Sequence, residues 1–189
     1  MRVGIVGLFA VAFAVGCTAE QSSGWPDAVR ERAAADHRWD ADAIEVGGLG
    51  DLDHGGCRFF RAGNPRVLDS WTYTYVVLPS DELGGTPSPA TAAQVLRECG
   101  DDADATWQAH VLTEFSGAVP GIVVDAESVG SAERLIREAG AEYFPPRADE
   151  DTVTFYVRNF DVGSIHLVEA TLPSAGEVVV TTRPIVAAR

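Results

Sequence analysis

A chain of 189 residues and 20.0 kDa, 46% apolar with a mean hydropathy of +0.03, has material for one ordinary globular domain and is too apolar for a disordered tail. Fourteen basic residues against 28 acidic ones leave a formal charge of -14 and a pI near 4.5, so there is no positive field for a phosphate backbone and a nucleic-acid partner is disfavoured. Every basic residue is an arginine, which removes Schiff-base chemistry, a phosphate loop ending in Gly-Lys and a Ser-Lys dyad.

At the amino end Met1 and Arg2 precede an apolar run over residues 3–15, followed by Gly16, Cys17 and a small, polar stretch from Thr18 to Gly24. Thirteen residues are too few for a bilayer-crossing helix, which needs about 20, and the pattern is that of a signal-peptide core. With Ala14, Val15 and Gly16 ahead of Cys17, the segment resembles a bacterial lipoprotein precursor with its lipobox. That resemblance covers residues 1 to about 24. It implies cleavage before Cys17, diacylglycerol on its thiol, palmitate-type acylation and an anchor in the cell membrane, facing out of the cytoplasm. It divides the chain into a signal peptide (1–16), a lipidated cysteine with a polar tether (17–24) and one extracytoplasmic domain (25–189). An ordinary secretory signal cut near Ala19 is the alternative, and it too exports the chain. The absence of lysine beside abundant Ala, Arg, Asp and Val suits a high-GC genome.

Export places Cys57 and Cys99 where disulfides persist, and two is an even number, so a single Cys57–Cys99 bridge is expected. The competing reading makes Cys57 a nucleophile activated by His54 across His-Gly-Gly-Cys, a spacing with no catalytic signature.

Along the domain, residues 26–37 read as a helix with Pro26 at a first-turn position, residues 43–47 as a short strand, and residues 57–61 as a second strand after a glycine-rich connection. Residues 70–78 alternate Trp71, Tyr73, Tyr75 and Val77 against Thr72, Thr74, Val76 and Leu78; bulk on both faces predicts a central strand. Ser88 and Pro89 open a helix whose Ala92, Val95, Leu96 and Cys99 share a face. Residues 106–115 fit either period and are taken as a strand. Residues 121–125 read as a buried strand, and residues 131–139 as a helix with Leu135 and Ile136 inward and Gly140 as its stop. Residues 152–158, 164–172 and 177–183 form an antiparallel meander. The sum is an α+β fold: an antiparallel sheet with two or three helices packed on one face.

Chemistry is harder to find. Asp51 and Asp53 before Gly55 and Gly56 begin like a calcium loop, but Gly55 and Ala62 stand where oxygen ligands belong, so turn geometry is the better account. Asp101, Asp102 and Asp104, like Asp149, Glu150 and Asp151, sit at apparent element ends. His37, His54, His110 and His166 have no paired metal spacing, and Phe115-Ser116-Gly117 is no nucleophile elbow. The aromatic row Trp71, Tyr73, Tyr75 fits a core better than a sugar platform. No cofactor or metal is expected. The leading expectation is therefore a non-catalytic, membrane-anchored envelope lipoprotein that binds a small ligand or an envelope protein. The alternatives are an extracytoplasmic hydrolase using a histidine such as His54, His110 or His166 with carboxylates, and a carrier of lipid or other hydrophobic ligands.

Overall fold

The computed structural model describes residues 24–67, 72–117, 121–128, 130–159 and 162–187. Cys17 and Trp71 lie outside them, as does the lipobox. Helix α1 (Trp25–His37) starts with Pro26 in its first turn and buries only Val29 and Ala33, a narrow stripe suited to one sheet face. That sheet is β1 (Glu45–Gly48), β2 (Arg58–Gly63) and β3 (Tyr73–Val77), antiparallel in the order β1-β2-β3. The aromatic strand β3 is thus an edge strand and β2 the central one. Its two apolar faces have separate covers: Tyr75 packs with Ala62, Val29 and Ala33 beneath α1, while Val76 and Phe59 face the other way.

Two helices cover that second face. Helix α2 (Pro89–Cys99) is capped by Ser88, whose Oγ accepts the Thr91 N–H at 3.1 Å, and buries Ala92, Val95 and Cys99. Helix α3 (Ala105–Ser116) occupies the segment expected as a strand. Asp104 is the reason: its carboxylate accepts the Trp107 N–H at 2.8 Å, and Gly117 ends the helix with φ of 66°. Trp107, Ala109, Val111, Leu112 and Phe115 are all buried, too broad an arc for one interface, because this helix has a sheet on either side. That double burial made its sequence alternate.

The second sheet holds β4 (Ile122–Val123), β5 (Arg147–Asp149), β6 (Thr152–Asn159), β7 (Ser164–Thr171) and β8 (Val179–Val186), all antiparallel, with the path β4-β6-β7-β8 and β5 on β6. Period 2 on β6 sorts its side chains: Val153, Phe155 and Val157 join α2 and α3, while Tyr156 joins Ile136 of α4 (Gly130–Glu138) on the outer face. The α+β, antiparallel character holds, with the strands parted into two sheets. The layers run α1, first sheet, α2 with α3, second sheet, α4, and the cluster around Phe59, Phe115 and Phe155 unites both sheets.

Cys57 and Cys99 stand at disulfide distance, with Cα atoms 5.9 Å apart. Gly55 and Gly56 bring them together, turning the chain with φ of 55° and 83° so that Cys57 N–H meets the His54 carbonyl at 2.8 Å. A Cβ on Gly55 would lie 2.3 Å from the Cys99 carbonyl oxygen, so only glycine lets this turn lie on the end of α2.

Candidate functional site

Packing between the two sheets leaves one stripe of α3, Thr106, His110 and Glu114, along a groove of about 1070 Å³. The facing walls are the turn carrying Asp51, Asp53 and His54, and the segment after β4 with Asp125 and Glu127. Its chemistry centres on His110 and Asp125. The imidazole Nε2 is 3.2 Å from Asp125 Oδ2, and the two side chains are 33% and 15% exposed. The other carboxylate oxygen, Oδ1, accepts from the Glu127 N–H, the Ser128 N–H and the Ser128 hydroxyl at 3.1, 2.8 and 2.8 Å. Burial alone would raise the Asp125 carboxyl; the Ser128 donors and His110 together outweigh it and hold the group below its ordinary value. A charged Asp125 therefore fixes the ring of His110 through Nε2 and leaves Nδ1 as the atom with which His110 can meet a ligand.

The neighbouring side chains are held as firmly. Glu114 accepts the Arg61 guanidinium at 2.9 Å on one oxygen and the Thr74 hydroxyl at 2.5 Å on the other, tying α3 to β2 and β3. Trp107 donates its indole N–H to the Leu52 carbonyl at 2.8 Å, and the His54 ring lies 5.0 Å from the indole centroid. Seven carboxylates line the groove, those of Asp51, Asp53, Asp102, Asp104, Glu114, Asp125 and Glu127, against the one guanidinium of Arg61.

Several sequence candidates take structural posts here. Asp53 accepts the Phe59 N–H at 2.9 Å, and Asp104 caps α3, so these carboxylates shape the walls. Asp51 and Asp53 do not converge on a cation site: among the described residues no group of three or more His, Cys, Asp or Glu side chains could hold a metal ion. Asp149, Glu150 and Asp151 lie exposed at the β5–β6 turn, where Glu150 adopts φ of 46°. The four histidines part company. His54 and His110 share the groove; His166 bonds Ser164 on β7 at 3.1 Å. His37 stacks on Tyr73 with centroids 3.7 Å apart and meets the Tyr75 hydroxyl at 3.2 Å. Burial, opposed by Asp36, lowers the His37 imidazole; burial and then the Asp36 charge push the Tyr75 phenol up to about 12. Tyr75 is wholly buried and Tyr73 half-buried, so this part of the aromatic row is mainly core.

The His110–Asp125 pairing was not legible in the sequence, since the partners are 15 positions apart with a strand between them. The one local signal was Asp125-Ala126-Glu127-Ser128, an Asx-type turn whose carboxylate is pinned by its own backbone. No protein-family model, curated protein or solved structure matches this chain.

Proposed function

We propose that the protein is an envelope lipoprotein, anchored to the outer face of the cell membrane through Cys17, whose domain binds its ligand in the His110 groove. The observation that carries the binding reading is the groove itself: about 1070 Å³ of concave surface lined by polar groups whose own hydrogen bonds hold them in place. The anchor rests on Ala14, Val15, Gly16 and Cys17 following the apolar run. Two acyl chains would hold the protein where one binds reversibly.

The anchor is tested by fractionating cells that express the full chain. Cys17→Ser should leave the membrane fraction or accumulate uncut precursor; a variant that fractionates and migrates like the parent removes the lipoprotein reading. Binding is tested on the full chain in neutral detergent, by thermal unfolding with short glycans, acidic and basic peptides and phospholipid. At least one class should raise the midpoint, because a ligand that prefers the folded state stabilises it by mass action. No shift from any of them defeats the binding reading.

One observation favours a second reading. A histidine oriented by a carboxylate in a polar groove is the arrangement of a general base, which makes an extracytoplasmic hydrolase the alternative, with His110 drawing a proton from water. Its mark would be turnover of ester or peptide substrates that His110→Ala abolishes.

A further inference from the structure

The His110 groove does not end at α3. A second hollow of about 460 Å³ lies over the first sheet and adjoins the groove, with Leu49 and Arg61 lining both. The sheet register explains its shape. Gly47 pairs with Arg61, which pairs with Thr74, and on the next rung of the same face Glu45 pairs with Gly63. Helices α2 and α3 cover this face at Phe59 and Val76 and stop at the Arg61–Glu114–Thr74 tie. Beside it the floor is glycine at Gly47, where a Cβ would meet nothing within 4 Å, and on the next rung the Thr72 methyl lies over Gly63, 3.0 Å from where a Cβ would stand. All five residues from Glu45 to Leu49 line the hollow, not alternate ones, and among the described residues β1 pairs with β2 alone. Among the described residues the outer edge of β1 is thus without a strand partner beside the hollow.

From this we infer that the hollow receives an extended peptide bearing lysine or arginine, added as a strand along β1 and running on into the groove beside His110. The inference rests on the binding reading above and names its ligand class. Backbone pairing at the β1 edge suits a peptide, which offers matching N–H and C=O groups; a glycan or polyamine does not. The glycine floor lets another chain approach closely. Charge complementarity chooses its side chains, since walls with seven carboxylates and one guanidinium concentrate potential in a concave site and draw basic groups in.

The test uses the full chain in neutral detergent and a fluorescent, acetylated peptide of alternating lysine and glycine. That peptide should bind, and its glutamate counterpart should not. Gly47→Leu is the decisive variant: its side chain enters open space at a position without positive φ, so the fold is kept while the trough is filled, and affinity should fall tenfold or more. Alternate backbone N-methylation of the peptide should weaken it comparably. Asp102→Asn with Glu127→Gln should lower affinity and flatten its salt dependence. If Gly47→Leu or N-methylation leaves affinity unchanged, the peptide is held by general attraction to an acidic surface and the inference fails. If a glycan or phospholipid shifts the unfolding midpoint while the basic peptide does not, the inference falls and the binding reading stands.

Discussion

Asp125 uses its two oxygens for different ends, three donors on Oδ1 and His110 on Oδ2, and the consequence can be measured. A carboxyl held below its ordinary value in the folded state contributes stability that is fully present above the unfolded value, about 3.9, and is lost as pH falls through the folded value. Urea midpoints followed from neutral pH down through that window should therefore drop more steeply for the parent than for Asp125→Asn. Parallel profiles would show that Asp125 does not titrate against the fold. Asp125→Ala, which leaves the Ser128 and Glu127 donors without their acceptor, should cost about 2 kcal/mol at neutral pH. His37 has the same sign. Its imidazole is lowered chiefly by burial, so it too withdraws stability as the solution is acidified.

At the scale of the element, the helix caps decide more than the apolar periods do. Helices α2 and α3 begin with the same device, a side-chain oxygen on Ser88 or Asp104 accepting an N–H three residues on. Ser88→Ala and Asp104→Ala should each cost about 1 kcal/mol in denaturant unfolding. Asp104→Ala should also disturb the groove, because the first turn of α3 carries Thr106 and precedes His110. A ligand affinity unmoved by that variant would show that the first turn does not shape the site. Ser88 with Pro89 was readable as a helix start; Asp104 held the same meaning, but the alternation of Trp107, Ala109, Val111, Thr113 and Phe115 pointed the other way. In α4 the short apolar stripe matched the sequence pattern, with Ile136 buried and Glu133–Arg137 and Arg134–Glu138 paired on the outside. That helix meets one sheet face, so a simple amphipathic period sufficed.

For the molecule as a whole, Cys57 and Cys99 stand at disulfide distance where the first sheet meets α2, inside the core that unites both sheets; they are 1% and 2% exposed. At a sequence separation of 42, a bond between them should contribute about 4 kcal/mol by restricting the unfolded chain. The double variant Cys57→Ser, Cys99→Ser should lose about that much in urea unfolding, and peptide mapping of the parent without reductant should recover the two cysteine peptides linked. Free thiols at both positions in protein prepared under oxidising conditions would contradict the bond.

Local patterning by itself determined the α+β class, the antiparallel meander of β6, β7 and β8, the ends of α2 and, to within a residue, those of α1 and α4, and the close approach of Cys57 and Cys99. Each depends on a period, a cap or a count that neighbouring residues carry. Tertiary structure alone decided that the strands form two sheets with α2 and α3 between them, that β3 is an edge, and that residues 105–116 are helical. A residue buried on two sides leaves no single period to read, and bulk on both faces of a strand marks two coverings rather than a central place. The groove was out of reach for the same reason: His110, Asp125, Glu114, Arg61 and Thr74 come from separate elements, and only packing brings their polar ends together.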